Sequence, residues 1–102
     1  MEQMALTETT YYILLSLYKP LHGYGIMQRA AELSGGRVRL AAGTLYGALN
    51  ALVDKGWIAL LPGEGRKKEY KLTPKGLEIL TNELERLREL VASGDLVMKE
   101  EA

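Results

Sequence analysis

The chain has 102 residues, 13 basic and 13 acidic side chains, a formal net charge of zero and no cysteine. A chain of this length forms one domain that buries roughly 60 to 70% of its unfolded surface, and without cysteine it has no disulfide, thiolate metal site or cysteine nucleophile. No apolar run approaches the ~20 residues of a membrane span and the first ten residues lack the features of a secretory signal, so we expect a cytoplasmic protein.

Two helices are predicted in the N-terminal third of the chain. The first covers about residues 9–18, is apolar on nearly every side and ends at Lys19-Pro20. The second covers about residues 24–34, with Tyr24 assigned to the core, and ends at Gly35-Gly36. Residues 37–40 then alternate charged and apolar side chains, which predicts a short extended segment that could pair with a later hairpin.

A third helix is predicted over residues 43–55. Leu45, Leu49, Leu52 and Val53 form one apolar stripe that is predicted to face the core. Lys55-Gly56 ends the helix with a cation in its last turn and a glycine that tolerates positive φ. The other side of the helix is free to contact a partner, and we call it the reading face: Thr44, Tyr46, Gly47 and Asn50.

After this helix the pattern changes from helical to alternating. Residues 57–62 and 68–72 predict two short strands, and the loop between them has glycine and proline suited to a hairpin. Three consecutive cations, Arg66, Lys67 and Lys68, lie at its tip. A helix-turn-helix followed by such a hairpin is the plan of a winged helix-turn-helix, a mostly α fold with a small β-hairpin. The hairpin of residues 57–72 is the wing of this fold.

Thr73-Pro74 predicts the start of a last helix, with threonine as its cap and proline in its first turn. Apolar residues spaced three and four apart form a heptad seam longer than so small a domain can cover, which predicts a homodimer. Glu83 and Glu85 are assigned to a solvated face, and Ser93-Gly94 to the end of the helix. The chain is thereby divided into a DNA-binding domain (1–73), a dimerisation helix (74–94) and a flexible tail (95–102). The candidate interface residues are Tyr11, Leu77, Leu80, Leu84, Leu87 and Val91.

The distribution of charge favours double-stranded DNA as a partner. Residues 19–75 contain ten basic and four acidic side chains, whereas residues 76–102 contain three basic and seven acidic ones. The basic middle is therefore a candidate DNA surface and the acidic end a candidate protein surface. Asparagine can bond adenine, and tyrosine can bond phosphate or touch a thymine methyl, although Tyr46 could instead be a half-buried packing residue. The candidate DNA-binding residues are Arg39, Thr44, Tyr46, Gly47, Asn50, Arg66, Lys67 and Lys68.

Other functions find less support in the sequence. No nucleophile with a base beside it can be named, and His22, the single histidine, makes no metal site without cysteine; we therefore expect neither an enzyme nor a bound metal or cofactor. A winged helix can also serve as a protein-interaction module without specific DNA binding, but such a module has no need of a basic wing. Tyr12 and Leu84 of the first and last helices could line a cavity for a small hydrophobic or aromatic effector, or simply pack shut.

Several of these residues together resemble the PadR family of bacterial transcriptional regulators, in particular its short-tailed members. The resemblance rests on HGYGI at residues 22–26, GTLY at 43–46, the basic wing tip and YKLT at 70–73, and it covers about residues 14–90. Many members have proline where this chain has Ala42 and Gly47. The resemblance implies a homodimeric repressor whose recognition helix enters the major groove of a palindromic operator while the wing reaches the flanking DNA. It also implies release from DNA by small, often aromatic, molecules in some members.

Overall fold

The computed structural model describes residues 4–63 and 68–101. Three strands, β1 (Leu21–His22), β2 (Ile58–Leu60) and β3 (Glu69–Leu72), form one antiparallel sheet in the order β1-β3-β2. None of the described helices is long and apolar enough to cross a membrane. The predicted class, a mostly helical winged helix-turn-helix with a small sheet, is confirmed. In chain order the elements are α1 (Glu8–Ser16), β1 (Leu21–His22), α2 (Gly23–Leu33), α3 (Ala42–Asp54), β2 (Ile58–Leu60), β3 (Glu69–Leu72) and α4 (Pro74–Glu101).

One hydrophobic core joins these elements. Three of the four residues of the predicted stripe of α3 are buried in it, since Leu45 and Leu49 are fully buried and Leu52 is 4% exposed. Val53, near the end of the helix, is 36% exposed, so its assignment to the core was wrong. This burial fixes the rotation of α3 and leaves its opposite side in solvent. The buried members of the core are Ile13, Leu14, Leu17, Ile26, Leu45, Leu49, Leu52, Ile58, Tyr70 and Leu80.

The third strand of the sheet is not the one expected. β3 pairs with β1, with Leu21 opposite Tyr70 and His22 opposite Glu69, whereas residues 37–40 form no strand. Those residues bond locally instead: the Val38 N–H donates to the Ser34 hydroxyl at 2.9 Å, close to the end of α2. The prediction that residues 37–40 pair with the hairpin was therefore wrong, because the adjacent turn satisfies their backbone before the sheet can.

A tight joint connects α3, β2 and α4. Gly56 has a φ of 76°, the left-handed conformation expected of a glycine that ends a helix. The Thr73 hydroxyl donates to the Gly56 carbonyl at 2.6 Å and accepts from the Gly76 N–H at 3.0 Å, which confirms it as the cap of α4. Gly76 lies so close to the Trp57 carbonyl oxygen that a Cβ at this position would overlap it. The start of α4 is thus fixed to the end of α3.

α4 does not stop at Ser93-Gly94. It continues without a break to Glu101, giving 28 residues and a length of about 42 Å at a rise of 1.5 Å per residue. The boundary between a dimerisation helix at 74–94 and a tail at 95–102 was therefore wrong over residues 95–101. One glycine costs a helix about 1 kcal/mol relative to alanine, and the good helix formers that follow offset this cost.

Candidate nucleic-acid interface

The reading face of α3 lies in solvent. Thr44, Gly47 and Asn50 are exposed, and nothing lies within 4 Å of where a Cβ on Gly47 would be. Leu45 and Leu49 on the opposite side of α3 are buried in the core and fix the position of the helix backbone. The side chains of the reading face therefore project from a rigid backbone. The structure therefore brings these candidate residues together on one exposed surface.

Tyr46 divides its side chain between solvent and protein. It is 45% exposed, yet the tip of its ring lies against the first residue of α2, where a Cβ on Gly23 would be 2.8 Å from the Tyr46 Cζ. Burial and, secondly, the charge of the Tyr46 phenolate raise the pKa of Tyr70 in β3. The two interpretations of Tyr46 are thus compatible, because one edge packs while the rest of the ring faces outward.

Three described basic side chains, Arg37, Arg39 and Lys68, differ in their partners. Arg37 forms an ion pair with Glu8 at 2.8 Å, whereas Arg39 is exposed and its Nε donates to the Gly36 carbonyl at 3.1 Å. Lys68 is exposed beside the start of β3. Neither Arg39 nor Lys68 forms an ion pair with a carboxylate of the described residues. The remaining predicted wing cations, Arg66 and Lys67, lie outside the described residues.

Tyr24 is a surface residue that sequence reasoning assigned wrongly to the core. It is 62% exposed in the first turn of α2, and its hydroxyl accepts from the Gln28 amide at 3.4 Å. The helical periodicity of the sequence predicts this exposure, because Tyr24 is two residues, or roughly 200° of rotation, from the buried Ile26 and so lies on the opposite side of α2. An aromatic side chain therefore stands exposed in the helix that packs against the tip of Tyr46.

The heptad seam of α4 divides into buried and exposed parts. Leu80 is 5% exposed within its own core, so its assignment to an interface with a second subunit was wrong. Leu77 is 44% and Val91 62% exposed, while Tyr11, Leu84 and Leu87 are partly buried. Beyond this seam further apolar side chains of α4 are exposed: Leu90, Leu96, Val97 and Met98.

Glu83 is buried, contrary to its assignment to a solvated face. It is 1% exposed; its carboxylate accepts from the Leu6 N–H at 2.9 Å and from Arg86 at 2.6 and 2.9 Å. The hydrogen bond to Glu83 is the main reason that the pKa of Arg86 is raised. Glu83 thus joins the segment before α1 to α4.

The two candidate effector residues line different clefts. Tyr12 lines a cleft of about 260 Å³ together with Glu83 and Leu87, whereas Leu84 lines one of about 170 Å³ together with Leu15 and Leu77. Tyr11 lines both. No group of three or more histidine, aspartate or glutamate side chains among residues 4–63 and 68–101 is arranged to hold a metal ion.

Comparison with known proteins identifies the family. The model of the transcriptional regulator PadR-like family matches residues 12–82, well over half of the chain. The chain belongs to this family. The family that this model describes is one of transcriptional regulators. The matched residues contain the helix-turn-helix, the wing and the first part of α4.

Solved structures of other PadR-like proteins have the same fold. A PadR-like transcription factor from Bacteroides fragilis has a TM-score of 0.72 and 29% identity, covering 86% of this chain and 87% of that one. Bacillus subtilis PadR in complex with operator DNA has a TM-score of 0.66 and 29% identity, covering 79% and 48%. Among curated proteins, an uncharacterized 37.1 kDa protein in transposon TN4556 of Streptomyces fradiae is 44% identical over 64 residues, or 63% of this chain. The chain spans only 18% of that relative.

In this PadR-like chain α3 contains no proline. α3 nevertheless begins at Ala42, and its N-cap, Ala41, has no side chain able to cap. The first turn closes through the backbone alone, with the Leu45 N–H bonded to the Ala41 carbonyl at 2.9 Å. Burial of Leu45 therefore holds the start of the helix in place of a rigid residue or a capping side chain.

Proposed function

We propose that the protein is a sequence-specific DNA-binding regulator whose α3 enters the major groove. The observation that carries this proposal is the reading face, which is exposed on a helix fixed by its buried side. The structure of the similar B. subtilis PadR in complex with operator DNA supports the same role for the fold. Thr44, Tyr46 and Asn50 are proposed to contact bases, and Gly47 to allow close approach of the backbone.

The cations around α3 are proposed to contact phosphates. Lys68 and Arg39 are exposed and unpaired with the described carboxylates, so binding DNA breaks no ion pair with those carboxylates. Arg66 and Lys67 belong to the same proposal through their place in the wing loop. Each phosphate neutralised adds about 0.9 to the slope of log K against log salt, so a chain of zero net charge can still bind a duplex through a local basic surface.

A homodimer is proposed to form through α4 and to bind a palindromic operator. Val91 and Leu90 are more than half exposed on a helix of about 42 Å, and burying such side chains against a second copy is favourable at about 25 cal/mol per Å². Two reading faces related by a two-fold axis then match two half-sites. Repression, with release by a small hydrophobic or aromatic effector in the clefts beside Tyr11, Tyr12 and Leu84, completes the proposal.

Fluorescence anisotropy tests DNA binding. The protein is titrated onto a labelled duplex from upstream of its own gene and onto a scrambled duplex, at several salt concentrations. We expect tighter binding to the promoter duplex and a steep salt dependence. Equal weak binding to both would favour the protein-interaction module, and no binding at low salt would refute the DNA proposal.

Two variants separate base contacts from phosphate contacts. Tyr46→Ala should reduce the preference for the promoter over the scrambled duplex, whereas Lys68→Ala should weaken both equally. Lys99→Ala is the control for Lys68, because it removes the same charge near the far end of α4. A folded Tyr46→Ala protein that discriminates as well as the parent would remove Tyr46 from the base-contacting set.

Light scattering after gel filtration tests the dimer. Val91→Glu places a charge on the seam and should lower the mass from two chains to one, while Ala92→Glu places it on the neighbouring exposed position and should not. A single-chain mass for the parent at micromolar concentration would contradict the dimer. Once the parent is shown to be a dimer, small aromatic compounds can be screened for those that lower the anisotropy of the labelled promoter duplex by releasing the protein.

A further inference from the structure

The contact between Tyr46 and the first residue of α2 is unusually close. A Cβ built on Gly23 would lie 2.8 Å from the Tyr46 Cζ and 3.3 Å from its Cε1, and closer still to the hydroxyl oxygen. Real Cβ atoms do not approach other atoms to less than about 3.0 Å, so any side chain here must displace the ring. The absence of a side chain at Gly23 is thus what allows Tyr46 its present position.

Gly25, in the same turn, does not have this relation to the reading face. A Cβ on Gly25 would lie 3.3 Å from the Leu21 Cδ2 and 3.4 Å from the His22 Cε1, both of which are the ends of flexible side chains. Alanine at position 25 therefore needs a shift of only a few tenths of an ångström. The requirement for a bare backbone is specific to Gly23 and its contact with Tyr46.

The position of Gly23 also relates the tyrosine to the wing. Gly23 follows β1 directly, and Leu21 of β1 is paired with Tyr70 of β3. Tyr70 is 8% exposed, so β1 is paired with a strand that belongs to the core. The tip of Tyr46 thus lies against the start of α2, at the residue that directly follows a strand paired with β3.

We propose that Gly23 is a positioning residue for DNA recognition, because its missing side chain leaves the space in which the tip of Tyr46 lies and thereby fixes the direction of the exposed part of the ring. This inference rests on the proposed role of Tyr46 in contacting bases. A ring held at its tip loses little conformational freedom on binding, so its contact with a base is made at lower entropic cost than that of a free side chain.

A double-mutant cycle tests the inference with Gly23→Ala, Tyr46→Ala and the double variant. Thermal unfolding reports the contact itself, and anisotropy on the promoter and scrambled duplexes reports recognition. Gly23→Ala should lower the melting temperature and reduce discrimination between the duplexes by about tenfold, the size of one lost base contact. Its affinity for the scrambled duplex should stay within about twofold of the parent, because phosphate contacts are retained.

The double variant distinguishes positioning from general damage. If Gly23 acts through the ring, Gly23→Ala should have almost no further effect in the Tyr46→Ala background on either measurement. Equal losses in both backgrounds, or failure of both Gly23 variants to fold, would overturn the inference. If Gly23→Ala alone fails to fold and the double variant folds, the damage runs through the ring and the inference is supported.

The control variant Gly25→Ala should discriminate like the parent. Loss of discrimination in Tyr46→Ala but not in Gly23→Ala would overturn the positioning role alone and leave the proposed function intact. Full discrimination by Tyr46→Ala would overturn the base-contacting role of Tyr46 and this inference with it, while specific DNA binding by the other residues would stand.

Discussion

Replacing Glu83 with alanine should destabilise the fold, although its neighbour Glu85 can be replaced without effect. The Glu83 carboxylate is 1% exposed and accepts from the Leu6 N–H at 2.9 Å and from Arg86. Glu85 lies two residues further along α4 and is exposed. The two glutamates therefore form a matched pair on one helix, differing chiefly in burial.

The magnitude follows from the hydrogen bond to Leu6. A hydrogen bond to a charged group contributes about 1.5–3 kcal/mol. The side chain of Arg86 is 32% exposed, so water can solvate its charge when Glu83 is removed. We therefore attribute the loss of stability to the hydrogen bond from Leu6 and not to the ion pair with Arg86. We expect Glu83→Ala to lower the free energy of unfolding by about 2 kcal/mol, which corresponds to about 8–16 °C in melting temperature for a domain of this size. Glu83→Gln keeps an acceptor for Leu6 and should lose less.

Thermal unfolding followed by circular dichroism measures the global effect. All variants are compared at one protein concentration, because dimerisation raises the apparent melting temperature. Amide hydrogen exchange at Leu6 measures the local effect, and we expect it to become faster in Glu83→Ala than in Glu85→Ala. Glu85→Ala should stay within about 0.5 kcal/mol of the parent.

The prediction for Glu83 is refuted if Glu83→Ala and Glu85→Ala unfold at the same temperature. Equal melting temperatures, with exchange at Leu6 unchanged, would mean that the buried carboxylate does not hold the N-terminal segment. Faster exchange at Leu6 with no change in melting temperature would confirm the contact and refute the magnitude, because the segment would then open independently of the rest of the fold.

Three further predictions concern the joint, the core and the wing. Gly76→Ala should lower the free energy of unfolding by about 1–3 kcal/mol, because its Cβ meets the Trp57 carbonyl, while Gly47→Ala, in open space, should not; urea unfolding measures both. Burial raises the pKa of Tyr70 above its ordinary value of 10.0 in the folded protein. The free energy of unfolding should therefore fall as the pH rises above about 10, and between pH 9 and 11 it should fall less in Tyr70→Phe. Lys68→Ala should reduce the salt slope of DNA binding by about 0.9, and an unchanged slope in anisotropy titrations would remove Lys68 from the phosphate contacts.

The parts of the fold set by local periodicity were predictable. The apolar stripe of α3, the glycine that ends it and the Thr73 cap each depend on residues within one or two turns of helix, so the sequence contains the whole signal. The reading face follows from the same stripe, because fixing the buried side of a helix fixes the exposed side. The periodicity of α3 alone is therefore enough to assign the side chains of that face.

The parts that depend on distant residues were not predictable. β1 has only two residues, too few for an alternating pattern, and exists because β3, 47 or more positions later, pairs with it. Glu83 is buried by a segment 77 residues earlier in the chain. The packing of Tyr46 against Gly23 likewise depends on how α2 and α3 cross, which the sequence of either helix alone does not contain.

α4 combines two tasks that the heptad pattern presented as one. Its cap and first ten residues are fixed to their own domain at three places. The Thr73 hydroxyl donates to the Gly56 carbonyl, Gly76 packs closely on Trp57, and Glu83 accepts a hydrogen bond from the Leu6 N–H. The same stretch places Leu80 in the core. From Arg88 onward all the described side chains are exposed, and the apolar ones are unburied by their own chain. The early apolar residues of the α4 repeat therefore pack in the core of their own chain, and only the later ones are left to pack against the second copy that we propose. One rigid helix would then connect each α3 to the dimer interface.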